Sequence, residues 1–118
     1  KKKRIFNYYF FCFKKNKKLN CLPLINNYEN SYWLFVLRFI DFSKKQRDNF
    51  IKKLHKKNIE TRPGFFPISL MKPFIKYSNK KCINSIKLSK STLCLPTSYD
   101  LTQKQQKYVI RTLLELLN

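Results

Sequence analysis

The chain has 118 residues, which is enough for one domain with a modest hydrophobic core. Apolar residues make up 43% of it and Phe alone contributes 11, so the composition excludes a chain that is disordered for lack of apolar surface. Gly64 is the only glycine, which excludes the glycine-rich phosphate loops of P-loop and dinucleotide-binding proteins. The formal net charge is +20, which suggests attraction to polyanions.

Lysine supplies most of this charge, and the lysines are spread along the whole chain rather than gathered in one tail. Only five of the 26 basic residues are arginines, although arginine, unlike lysine, can form bidentate hydrogen bonds with phosphates and bases through its planar guanidinium. Lys, Asn, Ile, Phe and Tyr are all abundant, as expected of AT-rich codons. The composition therefore favours a solvated lysine surface, and specific binding of nucleic acid is not predicted.

The four cysteines are Cys12, Cys21, Cys82 and Cys94, and no pair has the two-residue separation typical of zinc ligands. No signal peptide is visible, so we expect reduced, mostly buried thiols in a cytoplasmic protein. The apolar stretch 8–13 is too short to cross a bilayer, and no membrane association is predicted. The chain opens at Lys1 directly into helical periodicity, which we interpret as part of a longer protein.

The first half of the chain predicts a helix, a strand and a second helix. One helical face carries apolar residues at Ile5, Tyr8, Tyr9, Cys12 and Phe13. The run 14–18 ends that helix, and Pro23 with Asn26–Asn27 predicts an irregular connection. The aromatic and β-branched run 32–39 predicts a strand that is buried on both faces or nearly so, with Trp33 in the core.

The next helix begins at Ser43, where Gln46 completes a capping box, and it buries Phe50, Ile51 and Leu54. Asn58 is expected to end it in the left-handed conformation. Residues 59–61 are expected to be extended.

Residues 62–74 contain three prolines and Gly64, which predicts a long shaped loop. A helix is predicted over 81–93 with Cys82, Ile86 and Ser89 on one side, and a short strand over 94–96. A second capping box, Thr102 with Gln105, starts an amphipathic helix that runs to the end. This order predicts an α+β fold, a small sheet packed against helices.

The segment Ile59–Pro67, which reads Ile-Glu-Thr-Arg-Pro-Gly-Phe-Phe-Pro, resembles the DegT/DnrJ family of sugar aminotransferases. In that family a strand with Thr-Arg-Pro leads through aromatic residues and a proline into a substrate loop. Where the family often has His, this chain has Ser69, and Gly64 stands where an aromatic residue is common.

Other segments resemble the same family in the same order along nearly the whole chain. They are Ile5 with Tyr8-Tyr9, the strand Tyr32-Trp33-Leu34-Phe35, the helix with Arg47-Asp48 and Leu54, the strand Leu93-Cys94-Leu95-Pro96-Thr97, and the closing Asp100-Leu101-Thr102 with Tyr108-Val109-Ile110.

The resemblance implies that residues 1–118 are one domain, like the C-terminal small domain of fold-type I pyridoxal-phosphate-dependent aminotransferases. It implies a pyridoxal phosphate cofactor held by a large domain that is absent from this chain, together with the Schiff-base lysine. It also implies a nucleotide-linked keto sugar as substrate, an amino acid as amino donor, and a homodimeric full-length enzyme of amino-sugar biosynthesis. Alone, the chain is expected to be inactive.

By the same resemblance, five residues are candidates for substrate binding. They are Arg62 for a phosphate or sugar hydroxyl, Phe65 and Phe66 for stacking, Ser69 for a hydrogen bond, and Tyr77. No catalytic, cofactor or metal residue is predicted within the chain.

A small basic RNA-binding or ribosome-associated protein is the alternative function, based on the charge and the aromatic content. The placement of the aromatic residues at predicted buried positions argues against it. Without a large domain, the apolar faces of the first and last helices are expected to be partly exposed, which favours self-association.

Overall fold

A computed structural model describes residues 1–21, 29–78 and 82–118. The described residues form four helices and four strands: α1 Lys2–Phe13, β1 Leu19–Cys21, β2 Phe35–Phe39, α2 Lys44–His55, β3 Arg62–Pro63, α3 Ile83–Ser91, β4 Thr92–Leu95 and α4 Gln103–Leu117. Two short 3-10 turns, Ile68–Leu70 and Ile75–Tyr77, lie in the loop after β3. The predicted connection at Pro23 and Asn26–Asn27 falls outside the described residues.

The strands form one antiparallel sheet in the order β1-β2-β4-β3. Leu37 of β2 lies opposite Leu93 of β4, and Arg62 of β3 lies opposite Cys94. Helices cover the sheet, which confirms the predicted α+β fold.

The hydrophobic core lies between one face of this sheet and helices α1, α2 and α4. Phe35, Leu37 and Phe39 alternate along β2 and are almost completely buried. The Phe35 ring packs against Tyr9 of α1, and Phe39 packs edge-on against Phe50 of α2. Burial of each such side chain contributes roughly 1.5–3 kcal/mol.

Both predicted capping boxes are confirmed. The Ser43 hydroxyl accepts from the Gln46 backbone N–H, and the Gln46 side chain accepts from the Ser43 N–H. Thr102 and Gln105 make the same reciprocal pair at the start of α4. Asn58 has a φ of 57°, so its left-handed conformation after α2 is also confirmed.

The strand predicted over 32–39 is shorter than expected and begins at Phe35. Phe35, Leu37 and Phe39 are fully buried on one face, and Val36 and Arg38 are half-buried on the other, because successive side chains in a strand point to opposite faces. Trp33, predicted to be in the core, is 65% exposed. It precedes the strand and follows Tyr32, whose φ of 51° turns the chain away from the strand direction.

The other strands also differ from the prediction. The sequence did not predict β1, and the extended segment expected at 59–61 pairs with the sheet at Arg62–Pro63 instead. Pro63 has no N–H to donate, which suits the position of β3 at the edge of the sheet. The helix expected over 81–93 ends at Ser91, because Thr92 takes an extended conformation and pairs with Arg38.

The thiols are less buried than expected. Cys94 is buried and Cys12 and Cys21 are half-buried, whereas Cys82 is exposed. No helix of the described residues is long and apolar enough to cross a membrane.

The apolar faces of α1 and α4 are exposed only at their margins. Tyr108 of α4 is 43% exposed, and Tyr8 and Cys12 of α1 are half-buried. The rest of both faces packs in the core through Tyr9, Phe13 and Leu113, and the buried Gln106 amide donates to the Ile5 carbonyl at 2.7 Å. Many of the exposed apolar side chains instead follow β3 or lie on α3, including Phe65, Phe66, Ile68, Leu70, Phe74, Ile75, Ile83 and Leu88.

Candidate functional site

The loop after β3 leaves the sheet through a close contact at Gly64. The Gly64 N–H donates to the Thr92 carbonyl at 3.0 Å. A Cβ on Gly64 would lie 2.0 Å from Thr92 Oγ1 and 2.8 Å from Thr92 Cβ, so a side chain here requires a displacement. This explains why glycine occupies a position where the resembling family commonly has an aromatic residue.

A buried arginine also donates to the Thr92 carbonyl that accepts from Gly64. Arg47 of α2 is 4% exposed, and its Nη1 donates to the carbonyls of Ser89 and Thr92, at 3.0 Å each. The Thr92 carbonyl therefore accepts from both Arg47 and Gly64. The Arg47-Asp48 pair that resembles the family thus joins α2 to α3 and β4.

Asp48 accepts from Arg47 Nε and from Lys44 Nζ, with distances of 2.7 Å in both pairs. The hydrogen bond from Lys44 and the adjacent Arg47 charge lower the pKa of Asp48 below its ordinary value. The carboxylate is thus ionised at neutral pH and neutralises part of the buried Arg47 charge.

Beyond Gly64 the loop passes beside α3, and the two border an open cavity of about 500 Å³. Phe65, Phe66 and Ser69 line one side, and Leu88 and Thr92 line the other. We call this cavity the aromatic pocket. It brings together three of the five predicted substrate-binding residues.

The Ser69 hydroxyl is the polar feature of the aromatic pocket that is short of a partner. Its Oγ is shielded from solvent and makes no hydrogen bond to any described residue. A buried hydroxyl without a partner costs about 1–3 kcal/mol, so an acceptor or donor supplied from outside the chain is favoured there.

Trp33 is a further candidate that the sequence did not reveal. Its ring centroid lies 6.2 Å from that of Phe65, and both rings are about two-thirds exposed. Its position in an apolar run suggested burial, and only the turn at Tyr32 places it beside the aromatic pocket.

Arg62 and Tyr77 lie outside the aromatic pocket. Arg62 borders a separate cavity of about 280 Å³ with Thr61 and pairs with Glu60 at 3.2 Å. Tyr77 is 70% exposed on the second 3-10 turn. The binding roles of all five residues remain predictions.

Helices on a small antiparallel sheet, with an open loop beside one edge strand, define a small α+β domain. The profile of the DegT/DnrJ/EryC1/StrS aminotransferase family matches residues 1–114, and the chain belongs to that family. No curated protein matches the chain.

Solved structures with the same fold include aminotransferases. TlmJ from Streptoalloteichus hindustanus is 21% identical with a TM-score of 0.81, and the match covers 99% of this chain and 32% of TlmJ. PseC from Helicobacter pylori, an aminotransferase involved in the biosynthesis of pseudoaminic acid, is 18% identical with a TM-score of 0.82, and the match covers 97% of this chain and 31% of PseC.

Spr1654 from Streptococcus pneumoniae, in its PLP form, is 22% identical with a TM-score of 0.79, and the match covers 95% of this chain and 29% of Spr1654. The chain thus spans about a third of the length of these proteins.

The residues of the aromatic pocket do not fit pyridoxal phosphate. The cofactor needs a lysine for its Schiff base and an acid near its ring nitrogen. Neither a lysine nor a carboxylate is among the described residues that line this pocket. Within the described ranges, no group of three His, Cys, Asp or Glu side chains could hold a metal ion.

Proposed function

We propose that the chain is the C-terminal small domain of a pyridoxal-phosphate-dependent sugar aminotransferase. In this proposal the cofactor, its lysine and its acid belong to a large domain outside this chain. The substrate is a nucleotide-linked keto sugar, the donor is an amino acid, and the full enzyme is a cytoplasmic homodimer of amino-sugar or polysaccharide biosynthesis. The observation that carries the proposal is the family match over residues 1–114.

The exposed apolar side chains support a domain that works against a larger surface. Phe66, Ile68, Phe74 and Ile75 are all about half exposed or more within one loop. An isolated monomer rarely exposes so many neighbouring apolar side chains, and such patches mark interaction sites. The loop and the aromatic pocket thus suit one wall of a cleft.

The aromatic pocket can position a sugar but cannot transform it. The rings of Trp33, Phe65 and Phe66 offer flat apolar faces to a sugar ring. The Ser69 hydroxyl is a hydrogen-bond donor and acceptor without a described partner, and a small movement of the loop would let it bind one sugar hydroxyl. Holding the substrate in a productive orientation is the contribution that such a wall makes to amino transfer.

Trp33 provides the test, because it is the only tryptophan and lies beside Phe65. We expect UDP-N-acetylglucosamine to change its fluorescence saturably, and to a greater extent than UDP alone. Phe66→Ala and Ser69→Ala should weaken this response several-fold, since each removes one contact. Phe11→Ala is the matched control for Phe66→Ala, because the Phe11 ring is also more than half exposed but lies on α1. An identical response to UDP and the UDP-sugar, or no effect of either pocket variant, would contradict the role of the pocket.

The absence of a cofactor-binding role is tested separately. Pyridoxal phosphate added to the 118-residue chain and fixed with borohydride should label many surface lysines to similar extents. Peptide mass spectrometry measures the distribution. One lysine labelled to a full equivalent ahead of all others would show a cofactor site within this chain.

A further inference from the structure

Another cavity lies where the end of β2, the start of α2 and one side of α3 meet. Its volume is about 450 Å³, and five of the side chains that line it are cationic: Arg38, Lys44, Lys45, Lys87 and Lys90. We call it the cationic pocket. No carboxylate is among its described lining residues, and it shares no lining residue with the aromatic pocket.

The fold holds these cations together. Arg38 points away from the core because it alternates with the buried Leu37 and Phe39. The buried Arg47 joins α2 to the Ser89 carbonyl of α3, which fixes the two lysine-bearing helices relative to each other. Like charges confined in one concave surface raise the local positive potential and attract an anion.

Arg38 contributes a hydrogen-bond donor to the cationic pocket that lacks an acceptor. Its Nε is shielded from solvent and has no hydrogen-bond acceptor within the described part of the chain. A donor left in this state is costly, and a charged acceptor would satisfy it.

The available acids neutralise little of this charge. Asp48 pairs with Lys44 and also with the buried Arg47. The ion pairs between described residues do not include Lys45, Lys87 or Lys90. Most of the pocket's positive charge is therefore available to a ligand.

We propose that the cationic pocket binds the diphosphate group of a small ligand. The planar guanidinium of Arg38 suits two oxygens of one phosphate, and the lysines neutralise the rest of the charge. Ile40 and Phe42 add an apolar wall beside the cations, which can contact an attached organic group. An open concavity of about 450 Å³ has room for a small molecule, whereas a polynucleotide requires an extended basic track.

Isothermal titration calorimetry at physiological salt tests the proposal, with pyrophosphate as the probe. We expect saturable binding of one equivalent. Arg38→Gln should weaken it about tenfold, which is the effect of losing a charge-assisted contact. The double variant Lys87→Gln/Lys90→Gln, at exposed positions of α3 where folding is not at risk, should weaken it by a similar factor.

Lys52→Gln/Lys53→Gln is the matched control, because it removes the same charge from exposed positions of α2 outside the pocket. Equal weakening in this control would show that pyrophosphate responds only to the overall positive charge of the chain, and it would overturn the proposal. The absence of saturable binding would overturn it as well. An oligonucleotide that binds far more tightly than pyrophosphate and is equally sensitive to Arg38→Gln would overturn the small-ligand assignment.

Uridine diphosphate distinguishes two sources of the same group. Equal affinities for pyrophosphate and uridine diphosphate support a free diphosphate ligand. Tighter binding of uridine diphosphate, reduced by Ile40→Ala, supports a nucleoside diphosphate held against the apolar wall. The two pockets share no lining residue, so the effect of Arg38→Gln on pyrophosphate binding is measured independently of the proposed aminotransferase function.

Discussion

Among single residues, the contact between Gly64 and Thr92 determines where the loop after β3 leaves the sheet. The 2.0 Å separation between an added Cβ and Thr92 Oγ1 can be relieved only by moving Thr92 or the loop. Thr92 Oγ1 is held in turn by a 2.8 Å hydrogen bond to the Leu88 carbonyl. The position of Phe65 and Phe66 therefore depends on the absence of a side chain at residue 64.

Gly64→Ala is expected to lower the free energy of unfolding by about 1–3 kcal/mol, the usual effect of overpacking. Urea denaturation measures the change. Thr92→Ala in the same chain should recover part of the loss, because the shortest contact involves Oγ1. Additive effects of the two substitutions would show that the two residues do not interfere.

Thiol reactivity follows burial. Burial raises the pKa of Cys21 to about 11 and also raises that of Cys12 and Cys94, while Cys82 is exposed. Since the thiolate is the nucleophile, iodoacetamide should modify Cys82 before the other three at neutral pH. The rate at Cys21 should increase as the pH rises toward 11. Peptide mass spectrometry over time gives the order, and modification of Cys21 as fast as Cys82 would contradict it.

At the scale of elements, Arg47 connects α2, α3 and β4 through two carbonyls and one carboxylate. Arg47→Ala should destabilise the fold by about 1–3 kcal/mol, because it leaves the buried Ser89 carbonyl without its donor. It also removes one of the two donors to the Thr92 carbonyl and one of the two cations that pair with Asp48. Arg111→Ala, at an exposed ion pair with Glu115, should cost less than about 1 kcal/mol. Thermal unfolding compares the two, and similar losses would contradict the role of Arg47.

Local sequence signals predicted the helices well because they depend on neighbouring residues. The capping boxes at Ser43 and Thr102 and the stop at Asn58 are determined within one or two turns. β1 is too short for a periodic signal, and β3 contains only Arg62 and Pro63. Their strand conformation depends on pairing with β2 and β4, which the local pattern does not reveal.

The part of the candidate site that lies within one loop was predictable from the sequence, and the part that depends on tertiary contacts was not. The aromatic pair and Ser69 follow one another in the loop, and the structure places them around one cavity. Trp33 was missed because an aromatic residue in an apolar run usually indicates core. The contribution of Arg38 was also hidden, since the convergence of β2, α2 and α3 is a tertiary property.

At the scale of the whole molecule, the charge of +20 predicts association with RNA that depends strongly on salt. Binding of polyuridylate should fall by orders of magnitude between low and physiological ionic strength, since counterion release drives it. Filter binding across a salt series measures this. Nanomolar affinity at physiological salt would favour the RNA-binding alternative over the aminotransferase domain.

The proposed function requires the aromatic pocket to form a sugar-binding wall of an aminotransferase cleft. Amide NMR spectra of the chain, titrated with UDP-N-acetylglucosamine and separately with UDP, locate the sugar contacts. We expect sugar-specific shifts at Phe65, Phe66 and Ser69 and at the Trp33 indole, beyond those caused by UDP. Identical shifts with both ligands, or sugar-specific shifts confined to α1 and α4, would contradict it.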